Sequence, residues 1–465
     1  MLGHQLKKMK NTNIILCLTA TLLLTACASL KEKYKPVDSV PANLFGETQS
    51  LSGFDSKTSA ANLSWKEFFT DHNLQALIAE GLENNLNLND AQLKIQEAET
   101  SLASTKLQYF PTVSLSPQAG YTRFDGEDLK TYNVPLTVNW EPSLFSRIKN
   151  KKLQAEAYRN QASDAEIAMR SQLVGNIAKA YYQLLVLDRE LEIMKSTVEL
   201  WNKSLDTQRA LAQYGKAYST SVNQMEASLL GVKAQVVDVE LQISEVENTI
   251  CLLLSKTPQH IVRSAWHHID LPAGLGTGVP LTLISNRADV RSAERVIEAA
   301  FYGVKQAKAA FYPTLTLSGT IGWTNNSLTY VNPGQILLDA LGSLTQPIFM
   351  QGRLKAQLKL SELQQAEAKN AYMQTLLQAG NEVNQALTLY QKSLEKDAIY
   401  KQQVAVLEQA YAGTHELMNH GKTNYIEVLT AQESLLNAQL SEAINLYNCT
   451  QGAIALYIAL GGGGK

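Results

Sequence analysis

Apolar side chains in this chain follow two periods, and the placement of proline decides where each applies. No proline lies between Ser143 and Thr257, and none follows Pro347. A proline inside a helix costs about 3 kcal/mol, so stretches this long without one, rich in Ala, Leu, Gln, Glu and Lys, predict long helices. In the first of them Val174, Ile177, Tyr181, Leu184, Leu191, Met194, Val198, Trp201 and Leu205 recur mostly three or four positions apart, the seam of a coiled coil. Leu173, Ala180 and Leu187 form a second line beside it at seven-residue intervals, which predicts a helix packed on two sides. One glycine in polar surroundings interrupts each stretch, at Gln213-Tyr214-Gly215-Lys216 and at Asn419-His420-Gly421-Lys422. Glycine accepts the left-handed conformation that ends helices, so a tight helical hairpin is expected at each. A helix from Arg147 to Gln213 would be about 100 Å long at 1.5 Å per residue, longer than a compact domain needs but suited to spanning a periplasm.

The second period is two. Thr314-Leu315-Thr316-Leu317-Ser318 alternates as a strand with one wet and one apolar face does. Strands are expected over Thr112 to Phe124 and Thr131 to Glu141, joined at Asp125-Gly126-Glu127-Asp128, and over Thr314 to Thr324 and roughly Gln335 to Phe349. The second pair is joined around Asn325-Asn326 and Asn332-Pro333-Gly334. The halves of the chain also resemble each other. Ala91 to Pro111 aligns with Ala293 to Pro313, and Gly215 with Gly421, so the chain reads as two tandem helix–strand–strand–helix repeats. The expected organisation is residues 71–258 and 284–460 as the repeats, 259–283 as their linker, and 461–465 as a glycine-rich tail.

After the N-terminal segment, no apolar run is long enough for a membrane helix, so a membrane crossing would have to be a closed β-barrel. Four strands cannot close one, and other chains must supply the remaining wall. The aromatics Tyr121, Tyr132, Trp140, Trp323 and Tyr330 fall at strand ends, as an interfacial belt or as ordinary packing there.

Charge and the N-terminus narrow the setting. A net charge of −2 without a dense basic stretch excludes nucleic acid as a partner. Lys7, Lys8 and Lys10 precede the apolar run Ile14 to Leu24, which predicts a signal peptide over 1–26, with Met9 an alternative start. Leu24-Thr25-Ala26-Cys27 resembles a bacterial lipobox, implying acylation at Cys27 and a lipid-anchored segment over 27–70; ordinary cleavage beside a cysteine is the alternative. Ala28 and Ser29 follow without the Asp that in lipoproteins usually signals inner-membrane retention, which implies outer-membrane sorting. Cys251 and Cys449, far apart and without CxxC spacing, read as buried thiols. His260, His267 and His268 fit no metal-ligand spacing, and Gly274-Leu275-Gly276-Thr277-Gly278 lacks the context of a phosphate loop. No set of acids, bases or ligands suggests an enzyme, and no cofactor is expected.

With these features in place the chain resembles outer-membrane factors of the TolC, OprM and NodT type. The carrying residues are Tyr34-Lys35-Pro36, Pro41, Trp65, Phe69, Asp71, Leu74, Asn84-Asn85-Leu86, both glycine hairpins, and the helix starts Ser146-Arg147-Ile148 and Gly352-Arg353-Leu354. Most specific is Asn286-Arg287-Ala288-Asp289-Val290-Arg291-Ser292-Ala293-Glu294, similar to the family's RPDIRxAE segment but with Ala288 where proline is usual. The resemblance implies a mainly α protein with a membrane β-barrel portion: a homotrimer whose twelve-stranded barrel, four strands per chain, continues into a periplasmic helical barrel. It implies an outer-membrane channel subunit of a tripartite efflux pump, working with a periplasmic adaptor and an inner-membrane RND-type or ABC-type transporter. Type I protein secretion and, further off, a periplasmic adaptor lipoprotein are the alternatives. By the same resemblance Glu427, with Thr430 one turn on, is a pore-constriction position, against a solvated helix-surface glutamate. Its counterpart in the first repeat is Ser221. Gly215, Lys216, Gly421 and Lys422 become adaptor contacts, against plain helix capping.

Overall fold

The computed structural model describes residues 33–37, 63–266, 287–325 and 335–464. The signal region, Cys27, Pro41, His267, His268, the Gly274 to Gly278 stretch, Asn286, Tyr330 and Lys465 lie outside the described residues.

Among the described residues the protein is mainly helical with one sheet. In order come α1 (Trp65–Phe68), α2 (His72–Asn84), α3 (Leu86–Leu107), β1 (Thr112–Leu115), β2 (Gln118–Phe124), β3 (Glu127–Trp140), α4 (Arg147–Gln213) and α5 (Ser219–Leu253). Then follow α6 (Ala288–Ala309), β4 (Thr314–Thr324), β5 (Gln335–Thr345), α7 (Arg353–Asn419) and α8 (Tyr425–Ala459). The helices pair off by length. α3 and α6 are 22 residues each, α4 and α7 are 67, and α5 and α8 are 35.

The chain divides into two compact units, one over 1–38, 93–163 and 292–373, the other over 39–92, 164–291 and 374–465. All strands belong to the first. Antiparallel pairing gives the order β1-β3-β4-β5, with β2 also on β3. Two strand expectations need correction. The stretch from Thr112 to Phe124 is two strands, because Pro117 has no amide to donate to the ladder between them. β3 begins at Glu127 rather than Thr131, because Asp125 (φ 51°) and Gly126 (φ 87°) close a two-residue turn that pairs Phe124 directly with Glu127. A third expectation also falls short: β5 stops at Thr345 rather than near Phe349, two residues before Pro347, which has no amide for the ladder.

The second unit holds the large apolar core. Val174, Ile177, Tyr181, Leu184, Met194, Trp201 and Leu205 of the α4 seam are buried, with Leu191 and Val198 packed against them, and so are Leu173, Ala180 and Leu187 of the second line. At the N-terminal side Phe68 stacks on Tyr457 with centroids 4.1 Å apart. The Tyr457 hydroxyl donates to the Leu63 carbonyl (3.0 Å) and accepts from the Gly463 amide (2.9 Å). The C-terminal glycines are therefore packed structure rather than a loose tail. A Cβ on Gly462 would sit 2.4 Å from the Tyr457 ring, closer than carbon atoms approach.

A buried polar cluster ties three parts of this unit together. Asp71 caps α2, its Oδ1 accepting from the Asn73 amide at 2.7 Å and the Leu74 amide at 3.3 Å. The same carboxylate accepts from the Tyr181 hydroxyl (2.7 Å) and the Ser264 hydroxyl (3.2 Å). Nearby, Arg263 forks onto Asp188 and also reaches Glu247. The stretch before residue 267, expected as a linker, is thus anchored to α4 and α5.

Candidate functional site

Two surfaces can serve a channel: the sheet in the first unit and the helical hairpins in the second.

The register of the sheet sorts its side chains into two faces. Val113 faces Val138 and Leu115 faces Leu136. Leu136 faces Ile321, Val134 faces Trp323 and Trp140 faces Leu317. Leu315 faces Leu344, Ile321 faces Leu338 and Trp323 faces Ile336. One side is thus apolar from β1 through β3 and β4 to β5, and Val113, Leu115, Ile321, Ile336, Leu338 and Leu344 of it are exposed. The other side pairs Thr112 with Asn139, Ser114 with Thr137, Thr137 with Thr320, and Thr316 with Ser343. Hydroxyls and amides predominate on it. Two-residue periodicity places every second side chain on one surface, so a single register suffices for lipid outside and water inside. The apolar side ends in aromatics. Trp140, whose Nε1 donates to the Tyr109 carbonyl at 3.0 Å, marks one end. Tyr132 and Tyr121 mark the other, ahead of the Arg123–Asp128 ion pair at the hairpin. From Trp140 to Tyr132 the strand rises about 26 Å at ~3.3 Å per residue, which at the roughly 40° tilt of barrel strands covers about 20 Å of the ~25 Å apolar band of a membrane barrel. Among the described residues no helix is long and apolar enough to cross a membrane.

The hairpins share one device. Lys216 N donates to Leu211 O (2.8 Å) and Gly215 N to Ala212 O (3.0 Å), with Gly215 at φ 67°. Lys422 N donates to Leu417 O and Gly421 N to Met418 O, both at 2.9 Å, with Gly421 at φ 66°. Each helix therefore ends in a Schellman motif that requires the glycine. Gly215, Lys216, Gly421 and Lys422 are all exposed.

Beyond the glycines the hairpins differ. Asn424 caps α8, its Oδ1 accepting from the Glu427 amide at 3.2 Å, and the Glu427 carboxylate accepts from the Thr423 hydroxyl. Glu427 and Thr430 are both exposed, one turn apart on α8, and the Thr430 hydroxyl donates to the Ile426 carbonyl at 2.9 Å. A carboxylate in the first turn also suits the positive end of the helix. In the first hairpin the position equivalent to Asn424 is Tyr218, which gives α5 no side-chain cap. Tyr218 and Tyr214 there are each 81% exposed. Sequence reading passed over this asymmetry, although superposing Gly215 on Gly421 sets Tyr218 against Asn424.

The decoys stay apart. His260 Nδ1 lies 2.8 Å from Glu247, and among the described residues no group of three or more His, Cys, Asp and Glu is arranged to hold a metal. Cys251 and Cys449 are buried free thiols.

The profile of the family described as "Outer membrane efflux protein" matches residues 77–255 and 279–462. The chain belongs to that family. Its place is the outer membrane, and its work is efflux. The efflux protein is 26% identical over 452 residues to the "Cation efflux system protein CusC" of Escherichia coli O157:H7, covering 95% of this chain and 97% of that one. It is 26% identical to the "Probable outer membrane lipoprotein SilC" of Salmonella typhimurium, covering 97% and 98%. In fold it resembles the solved CusC channel, with a TM-score of 0.82 at 23% identity over 93% of this chain and 99% of that one.

Proposed function

We propose that three copies of this efflux protein close a twelve-stranded barrel in the outer membrane, each giving four strands with β1 and β2 counted as one because they pair with successive parts of β3, and that the long helices prolong it as a tunnel into the periplasm. The observation that carries this reading is the sheet. It has one apolar face running from β1 to β5 and one hydroxyl-rich face. Its outer strands β1 and β2 on one side and β5 on the other have no partner at their free edges among the described residues. An open edge in lipid leaves backbone groups unsatisfied, so the edge must find a strand, and an identical chain offers the complementary one. In the other unit Leu230, Val237 and Leu241 of α5 form an exposed apolar stripe at coiled-coil spacing, suited to a neighbouring helix. The equal lengths of paired helices support two copies of one unit over 71–258 and 284–460.

The chain is anchored by lipid at Cys27, a reading supported by the signal pattern and by the lipoprotein name of SilC. Its hairpins, through Gly215, Lys216, Gly421 and Lys422, meet a periplasmic adaptor that joins them to an inner-membrane transporter of the RND or ABC type. Glu427, with Thr430 beside it, lines the constriction there. Threefold symmetry turns one exposed carboxylate into a negative ring that favours cations. The tunnel is passive, and the transporter chooses the substrate. Expressing the full chain and separating the membranes tests this. A heat-labile trimer in the outer-membrane fraction that conducts ions in a planar lipid film is the expected result, and a monomer that extracts with the inner membrane overturns it.

A further inference from the structure

We propose that Asp339 of β5 sets a second cation preference, inside the membrane barrel; the inference rests on the trimeric-channel reading above. The register decides which way Asp339 faces. It pairs with Thr320, on the same side as Thr137 and Ser114, which follow across β3 and β1. That is the hydroxyl face, the one turned to water when the apolar face meets lipid. Among the described strand residues this face carries two charged side chains, Glu127 at the β2–β3 hairpin and Asp339 in mid-strand. The remaining described side chains are Thr, Ser, Asn, Gln, Gly, Pro and Leu, and no lysine, arginine or histidine is among them. Asp339 is exposed, and its nearest neighbours on the face, Thr320 across the ladder and Leu337 and Leu341 along the strand, are uncharged. Nothing on the described part of the face neutralises it.

Three copies place three carboxylates at one height in a lumen whose described lining, apart from Glu127 at the hairpin, is neutral. Low-dielectric walls concentrate their field in the water between them, so small cations are enriched and anions depleted at that level. The charges are met by solvent, so salt screens them; the Debye length falls from about 30 Å at 0.01 M to about 3 Å at 1 M. The preference therefore weakens as salt rises. Glu427 lies on a different element, so removing either charge leaves the other's contribution in place.

The experiment is the reversal potential of the full-length protein in a planar film across a KCl gradient. Wild type is expected to pass potassium in preference to chloride, more strongly in dilute salt. Asp339→Asn should lower the permeability ratio about twofold or more while conductance persists, and Asp339→Glu should keep it. Thr320→Asp placed in the Asp339→Asn background should restore the preference, since position 320 is the adjacent place on the same face. If Asp339→Asn does not assemble, Thr320→Lys in the wild type sets a cation beside the native carboxylate and must lower the ratio. A conducting Asp339→Asn or Thr320→Lys channel with an unchanged reversal potential overturns the inference and leaves the channel reading standing. Wild-type protein that conducts nothing overturns that reading itself.

Discussion

Tyr181, in the buried seam of α4, donates a 2.7 Å hydrogen bond to the carboxylate of Asp71, the cap of α2, across 110 positions of sequence. Ser264 closes the arrangement, donating its amide to the Tyr181 hydroxyl and its own hydroxyl to Asp71. Burial alone would raise the Asp71 pKa, but the hydrogen bonds from Tyr181, the Leu74 and Asn73 amides and Ser264 outweigh it and hold the carboxyl below its ordinary range. Burial pushes the Tyr181 hydroxyl up to about 12, so it remains a donor at any physiological pH.

Removing that hydroxyl by Tyr181→Phe leaves a buried carboxylate short of a donor and the Ser264 amide short of an acceptor. The expected cost is about 1–3 kcal/mol, read by denaturant titration in detergent. Because the folded carboxyl is the stronger acid, its contribution is complete above about pH 4, the unfolded value, and fades as the pH falls below that. The gap in stability between wild type and Asp71→Asn should narrow over that acidic range.

The hairpin glycines hold left-handed geometry. A methyl group added at Gly215 or Gly421 would meet only open space, so the whole effect of alanine there is the strained backbone. Gly215→Ala and Gly421→Ala should each lower stability by about 1–2 kcal/mol. Melting temperatures of the single variants and the double variant check this, and the two effects should add.

The hairpins' unequal caps predict opposite responses. Asn424→Ala should destabilise by about 0.5–2 kcal/mol, whereas Tyr218→Asn supplies a missing cap and should stabilise by up to about 1 kcal/mol. Comparing the melting curves of the two variants measures the difference.

At Glu427 the stability and transport roles separate. Glu427→Gln should cost less than about 1 kcal/mol, since the side chain is exposed and helix-end charge effects are small. If the residue lines a constriction, the same variant should shift the reversal potential toward less cation preference, and a shift in neither quantity returns it to the helix surface.

The sequence revealed the helices well because each signal was local. Arg147–Gln213 ends two residues before Gly215 and starts after the last proline of its region, and both bounds are those of α4. Strand ends were less legible. The Asp125-Gly126 turn was visible, but whether two or more residues lie outside the ladder depends on backbone torsions, and the break at Pro117 was hidden inside an otherwise alternating run. The Asp71, Tyr181 and Ser264 cluster joins residues 110 and 193 positions apart, a relationship no periodicity reports. Asp339 lies in a run, Leu337-Leu338-Asp339-Ala340-Leu341, whose facing is settled only by its register with β4.

In the trimeric channel the free edges of the sheet must pair with other copies of the chain. Cysteine pairs, one at Leu341 or Ser343 of β5 and one at Thr112 or Ser114 of β1, oxidised in intact outer membranes, test it directly. A ladder on denaturing gels that stops at three linked chains is the predicted result. Chains that stay unlinked in every pair, or a ladder that runs on past three, would contradict it.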